Sequence, residues 1–438
     1  MLSTKQYQIL KIFFILIAVG AALLAIYSLP PVNSRLSWRI SMVRANIYHH
    51  FNPPEEAVFI PGQQSEMSEN IIPTPTATEL PPTATLEPSP TPTNFVSPTP
   101  TLTQTPTPTP TPIPSTVRLD GVRYERQTFN NCGPANLSMA LSFWGWEGNQ
   151  QIAADWLKPN PLDRNVMPYE MVDYVRTQTN LNAILRWGGD LEMIKNFIAA
   201  GFPVIIERGY LEEIAQYGWM GHYNVVTGYD LEREFFVVQD SYLGTPDTNN
   251  SFERIERHWR AFNYVYIIIY PFDREAEVFE ILGPHADETY NLQHAAQKAR
   301  DEIDVLTDRE LFFAWYNYGT SLVNLFDYYS AAQAFDRAFE IYAEIPRTDR
   351  PFRIFWYSTG PYFAYFYTGR YQDVIDLANM VLGLSPEPAI EETWVWRGRA
   401  HLALGNVDGA ISDFREALRW HPGWWVAQNE LRNLGITP

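Results

Sequence analysis

The segment from Ile72 to Thr116 most limits what this chain can fold into. It is a Pro-Thr tract (PTPTATELPPTATLEPSPTPT, then TQTPTPTPTPIPST), with Glu79 and Glu87 its only charges. So little apolar surface cannot offset the entropy of ordering, and a disordered stalk is expected over 72–116. Alternating prolines bias such a tract to polyproline II, so its forty-five residues reach about 140 Å when extended. The tract divides the chain into an N-terminal piece and a long remainder.

The N-terminal piece, 1–30, holds an uncharged run from Ile12 to Leu29. As a helix it spans about 27 Å, enough to cross a bilayer core. A cleaved signal peptide is the other reading, with Lys5 and Lys11 as its basic start. The run exceeds the usual apolar length of a signal peptide and no small-x-small cleavage site precedes Pro30-Pro31, so a retained membrane anchor is favoured. Basic residues flank both sides (Lys5 and Lys11; Arg35, Arg39 and Arg44), and orientation does not follow from them. A long Pro-Thr stalk beside an anchor is typical of cell-surface spacers, which places the folded domains outside the cell. Within 31–71, Leu36, Ile40, Val43 and Ile47 recur at helical spacing among arginines. That pattern suits an interfacial helix on anionic headgroups or a surface helix packed on a folded domain.

The remainder is too long for one compact core, since domains run to about 100–200 residues. With 46% hydrophobic and 15% aromatic residues the chain has ample material for buried cores. Its net charge of −18 argues against a nucleic-acid partner. A single cysteine, Cys132, excludes an intramolecular disulfide and a clustered-cysteine zinc site. Neither metal-ligand spacing nor a phosphate-cradling loop is present, so no metal and no cofactor is expected.

Residues 117–271 form the first expected folded domain. Val117–Tyr124 (VRLDGVRY) suits a strand pair turning at Asp120-Gly121. After Gln127 comes Asn131-Cys132-Gly133-Pro134, then a stripe of Leu137, Ala140, Leu141 and Trp144 at helical spacing. Cys132 therefore stands at the mouth of a helix, where unpaired amides favour the thiolate. A thiolate nucleophile needs a base. His222 opens the strand-like run Gly221–Asp230, and Phe235–Asp240 follows a polar turn. An antiparallel hairpin centred near residue 231 or 232 puts His222 opposite or diagonal to Asp240, within orienting reach of its carboxylate. Gln127 is placed to offer an amide beside the Cys132 backbone N–H as an oxyanion hole. Pro203–Glu207 and Tyr264–Tyr270 suit central strands, and Tyr210–Met220 suits an overhang on the cleft or a loop packed for stability.

Gln127-x4-Cys132-Gly-Pro-Ala, Gly221-His222-Tyr-Asn-Val-Val and Asp240 together resemble the papain-like cysteine peptidases of family thirty-nine, which include the double-glycine leader peptidases of bacteriocin exporters. The resemblance covers about a third of the chain. It implies a papain-like α+β fold with Cys132 as nucleophile, His222 as base, Asp240 as orienter and Gln127 in the oxyanion hole. No exporter membrane domain or ATPase follows these residues, so leader cleavage during export is not implied. Ser241 follows Asp240 where the family often has proline.

Residues 272–438 are helical and periodic. Trp315, Tyr318, Gly319, Leu322, Ala331, Phe335 and Ala338 keep the intervals of a 34-residue repeat, and Trp394, Gly398, Gly405, Ala410, Phe414, Ala417 and Pro422 keep them again. A weaker middle copy runs through Gly369 and Val374 to Pro386. These resemble tetratricopeptide repeats, which implies an all-α solenoid that binds protein or peptide. His285–Leu306 is expected to lead the stack and residues from 424 to cap it. From Phe272 onward there are 25 acidic and 14 basic side chains, −11 of the chain's −18, which favours a basic or neutral partner.

The sequence reading is a membrane-anchored extracellular cysteine peptidase that takes a peptide or protein substrate, with repeats that dock a protein partner. A catalytically idle peptide-binding scaffold and a thiol-dependent transpeptidase are the alternatives.

Overall fold

The computed structural model describes residues 11, 13–15, 17–19, 40, 43–62, 112–210 and 218–438. The Pro-Thr tract up to residue 111 and most of Ile12–Leu29 lie outside them. Among the described residues no helix is long and apolar enough to cross a membrane.

The first domain is built on seven antiparallel strands: β1 (Thr116–Arg118), β2 (Leu181–Arg186), β3 (Val204–Tyr210), β4 (Met220–Asp230), β5 (Phe235–Gln239), β6 (Thr248–Ser251) and β7 (Tyr266–Pro271). Their order is β2-β7-β3-β4-β5-β6, with β1 also paired to β4. The β-branched and aromatic runs expected in the centre are β3 and β7, both buried. Helix α1 (Cys132–Phe143), α2 (Gln150–Leu157) and α3 (Pro168–Gln178) precede β2. Leu137, Met139 and Leu141 of α1 share a core with Met171 of α3 and with Ile205, Tyr223, Val225, Ile267 and Ile269 of the sheet. Helix α4 (Leu191–Ala199) links β2 to β3, and α5 (Phe252–Trp259) links β6 to β7.

The expected strand pair at Asp120-Gly121 is absent. Thr116–Arg118 instead pairs with Gly228–Asp230 of β4, so 119–131 is free to run as irregular chain towards α1. The approach is close at Gly228, where a Cβ would meet the Val117 carbonyl oxygen at 2.6 Å. Glycine is required there.

The second domain stacks helices. A short helix α6 (Glu275–Leu282) leads to α7 (Glu288–Ile303), and three antiparallel pairs follow: α8 (Asp308–Asn324) with α9 (Tyr328–Glu344), α10 (Gly360–Tyr367) with α11 (Tyr371–Gly383), and α12 (Glu391–Ala403) with α13 (Val407–Trp420). Helix α14 (Trp425–Asn433) caps the stack through Ala427 and Leu431. The repeat periodicity has a direct physical cause. A Cβ at Gly319 would meet the Phe335 ring at 2.9 Å, and one at Gly398 would meet Phe414 at 2.6 Å.

Among the described residues, those of 43–62 and 114–438 belong to one compact unit, and contacts cross the boundary expected at 271/272. Trp219 and Ala261 of the sheet domain lie in the same buried cluster as Phe312 and Phe313 of α8. Arg260 bonds Glu302 at 2.9 Å and Glu310 at 2.8 Å across the same seam.

The segment before the tract belongs to this unit as well. Helical residues 43–51 dock by their polar side: Arg44 reaches Glu387 at 2.6 Å, Tyr48 donates to the Gly383 carbonyl, and His49 meets the Leu384 carbonyl. Phe59 then packs edge-on against Phe339, and the Gly62 N–H donates to Asp373. Of the two readings for this helix, the packed surface helix is the one seen. Its apolar stripe of Ile40, Val43, Ile47 and Phe51 nevertheless faces outward, each residue more than half exposed.

Small residues at the helix crossings set a measurable cost. Gly398→Val forces a branched side chain into the Phe414 ring and is expected to destabilise the protein by about 2 kcal/mol. Thermal unfolding followed by circular dichroism measures this, and adding Phe414→Leu should recover part of the loss.

Candidate active site

The site is assembled from the start of one helix and the ends of two strands. Asn131 precedes α1 and Cys132 is its first residue. The first N–H groups of a helix have no intrahelical acceptor, so the Cys132 amide and the helix dipole both act on whatever sits at the sulfur. Cys132 is half-buried.

Strand β4 carries His222, and Asp240 directly follows β5. The β4–β5 register pairs Val225 with Gln239 and Val226 with Val238. Extended by one residue, it puts Asp240 beside Asn224, with His222 the diagonal neighbour on the same face. His222 Nε2 lies 3.2 Å from Asp240 Oδ1. The other ring nitrogen, Nδ1, is buried without a conventional hydrogen-bond partner and is the atom left for the Cys132 thiol, with which the imidazole interacts. The three residues are therefore in the order thiol, imidazole, carboxylate.

The Asp240 carboxylate is fully buried and richly served. Its Oδ1 accepts from the backbone N–H groups of Tyr242 and Leu243 at 2.9 and 3.0 Å, and its Oδ2 accepts from the Tyr210 hydroxyl. Arg208 stands 3.7 Å from Oδ2 and donates to Tyr210 at 2.6 Å. Burial alone would raise the Asp240 pKa. His222, Arg208 and Tyr210 overcome that and hold it well below the usual carboxylate range.

His222 shows the complementary shift. Burial disfavours the imidazolium, but the charge and hydrogen bond of Asp240, then Cys132, raise its pKa to about 9. For Cys132, burial pushes the thiol up, while His222 and then Lys158 outweigh it and bring the thiol below its ordinary value. Both shifts act in the direction of a thiolate–imidazolium pair. Glu207 of β3 also lies near the sulfur, and burial first, then the charge of Cys132, keeps its carboxyl well above the usual range. That shift reduces the opposition of Glu207 to a negative sulfur.

Gln127 is tied to the same strand end. Its N–H donates to the Ser241 carbonyl, and its Oε1 accepts from the Ser241 hydroxyl, both at 2.9 Å. That leaves the Gln127 amide nitrogen as a donor. Asn136 donates to Ser241 Oγ at 3.0 Å and to the Cys132 carbonyl at 2.9 Å. Ser241 thus links Gln127, Asn136 and, through Asn136, the Cys132 backbone, a role proline cannot fill because it has no hydroxyl.

The structure brings together Gln127, Cys132, His222 and Asp240. Sequence reasoning missed Arg208, Tyr210, Glu207 and Lys158, which lie on elements with no motif. Tyr210 does not overhang the cleft: it ends β3 fully buried against Asp240, and residues 211–217 lie outside the described set. Also missed was the connector between the first two helix pairs. Its 3-10 turn Phe352–Trp356 and the following Tyr357 reach the sheet domain. Arg353 donates to the Trp219 carbonyl at 2.7 Å, and the Tyr357 hydroxyl meets the Gly221 backbone one residue before His222. A Cβ at Gly221 would strike the Phe262 ring at 2.5 Å and Tyr357 at 2.8 Å.

Comparisons with known proteins agree with this organisation. Residues 119–267 match the Peptidase_C39 like family, and residues 314–345 and 391–424 each match the tetratricopeptide repeat. A solved structure of a candidate C39-like peptidase from Bacillus anthracis is 19% identical over 96% of its own chain and 35% of this one, with a TM-score of 0.29. No curated protein matches the chain.

The acidified thiol is directly measurable. Iodoacetamide should alkylate Cys132 with its rate inflection at a lower pH than that of an ordinary thiol, which gains about tenfold per pH unit up to ~8.5. Asp240→Asn removes the charge that sustains the imidazolium and should move the inflection upward, read as alkylation rate against pH.

Proposed function

We propose that this C39-like peptidase domain joined to tetratricopeptide repeats is an active cysteine peptidase, with Cys132 as nucleophile, His222 as acid–base and Asp240 as the group that orients it. The observation that carries this reading is the ordered line from a half-buried thiol through His222 to a fully buried, ionised Asp240. Cys132 Sγ attacks the scissile carbonyl carbon, and the carbonyl π electrons move to its oxygen. The Cys132 N–H and the Gln127 amide receive that oxyanion. The imidazolium of His222 gives its proton to the leaving amine as the C–N bond breaks, which leaves a thioester. His222 then takes a proton from water, hydroxide attacks the thioester, and the carboxylic acid leaves as the thiolate is restored.

A cleft of about 450 Å³ is lined by Glu207 and Phe262 of the sheet domain and by Tyr316, Ile354, Tyr357 and Phe363 of the repeats. Glu207 and Tyr357 both sense the charge of Cys132. A peptide bound there touches both domains, so the repeats act in substrate recognition. The N-terminus anchors the protein in a membrane with its folded domains on the outer side. What supports this is the uncharged run Ile12–Leu29 together with the exposed stripe of Ile40, Val43, Ile47 and Phe51.

Cys132→Ala should lower turnover of a peptide library by about 10³-fold or more, the scale seen when a nucleophile is removed. Turnover equal to the parent enzyme's overturns the peptidase assignment. Activity should also fall as pH rises through about 9, because the leaving amine then loses its proton donor as the His222 imidazolium deprotonates. A pH profile of kcat/KM that keeps rising beyond that point removes His222 from the acid role.

A further inference from the structure

A second cluster of ionisable groups lies at the seam between the two domains, apart from the catalytic line. Asp163 sits in the loop between α2 and α3, Glu391 is the first residue of α12, and His421 directly follows α13. One carboxylate oxygen from each acid and one ring nitrogen of His421 lie within 4.8 Å of one another. Asp163 and Glu391 are each 4% exposed. His421 Nδ1 is 2.6 Å from Glu391 Oε1, while Glu391 Oε2 is buried with no hydrogen-bond partner.

An unpartnered carboxylate oxygen in a buried site forfeits its hydration without replacement, at a cost of about 1–3 kcal/mol or more. The nearby cations give Glu391 Oε2 no hydrogen bond. Lys158 donates to the backbone carbonyls of Asn130 and Asp163, and Arg164 donates to Ser385 Oγ and the Glu387 carbonyl. Two further acids, Glu170 and Glu392, act on the same place. The cluster therefore gathers two buried acids and an imidazole around an oxygen that no donor serves.

We propose that Asp163, Glu391 and His421 bind one divalent first-row transition-metal ion, with Zn²⁺ the best match, and that this ion clamps the peptidase domain to the repeats. One imidazole and two carboxylates suit such an ion better than Ca²⁺ or Mg²⁺, which favour all-oxygen shells. Around a tetrahedral ion with ligands at ~2.0 Å, the ligand atoms stand about 3.3 Å apart, so closing the site needs shifts of only about 1.5 Å or less. The ion occupies the place now held by the proton between His421 and Glu391, and water completes the coordination. The three ligands are 228 and 30 residues apart along the chain, so no sequence spacing announces them.

The clamp also borders the catalytic site. The Asp163 carbonyl receives both Lys158 and Asn130, the latter two residues before Cys132. Arg164 meanwhile ties the same loop to Ser385.

The full chain carrying Cys132→Ser tests the proposal, since that change keeps the thiol from ligating the probe metal. Isothermal titration with Zn²⁺ should give one ion per chain at micromolar or tighter affinity, with a melting temperature that rises with free Zn²⁺. Glu391→Gln and His421→Ala should each weaken binding at least tenfold and abolish the melting shift, while melting cooperatively in EDTA as folded controls. Two outcomes overturn the proposal. One is no Zn²⁺ binding up to 100 µM by the folded parent. The other is binding that His421→Ala leaves unchanged, including an equal response to Ca²⁺.

Discussion

A charged carboxylate buried in a sheet is costly to maintain, at several kcal/mol for the ion alone. Asp240 is fully buried, and the rest of the site follows from how that cost is met. Two backbone N–H groups, the Tyr210 hydroxyl and His222 surround it, with Arg208 behind Tyr210. Such a set of donors favours the ionised form, and an ionised Asp240 is the chief cause that raises His222 above its ordinary pKa. The imidazolium in turn lowers the thiol. Chemistry at Cys132 is thus decided at Asp240, two side chains away.

Arg208 and Tyr210 are therefore more than packing. Both lie on β3, with Arg208 directly across from His222 in register. Neutralising Arg208 would leave Asp240 its other donors but remove the nearest fixed positive charge, and the effect would pass to the thiol through His222. This is why one line of residues on a central strand sets the acidity of a group at the end of a helix.

The chemistry was more legible in the sequence than the architecture around it. Cys132-Gly-Pro opens a helix because Pro134 suits a first turn, and Gly221-His222 and Asp240 fall on adjacent strands because a polar turn separates two β-branched runs. The hairpin register could be derived to within one residue because side chains alternate with period two. Arg208, Tyr210 and Glu207 carried no signal, since a buried polar residue in a strand reads like any other interruption of an apolar run. The repeats were legible for a steric reason: Gly319 and Gly398 lie against Phe335 and Phe414, and nothing larger fits. The middle copy was weak because its first helix, Gly360–Tyr367, is short and follows a connector that serves the other domain.

That connector changes what the repeats are for. A free-standing stack offers its surface to any partner, but here Arg353 and Tyr357 hold the strand that bears His222. Moving the repeats would disturb Gly221, which has no room to adjust between Phe262 and Tyr357. The segment 43–62 is fixed to the same stack and Pro114 to Tyr229 of β4, so residues 62 and 114 belong to one body. The extension of the tract therefore cannot set the distance between residue 62 and the catalytic site. A shift of the repeats would bear on the strand that carries His222, and through it on the surroundings of Cys132.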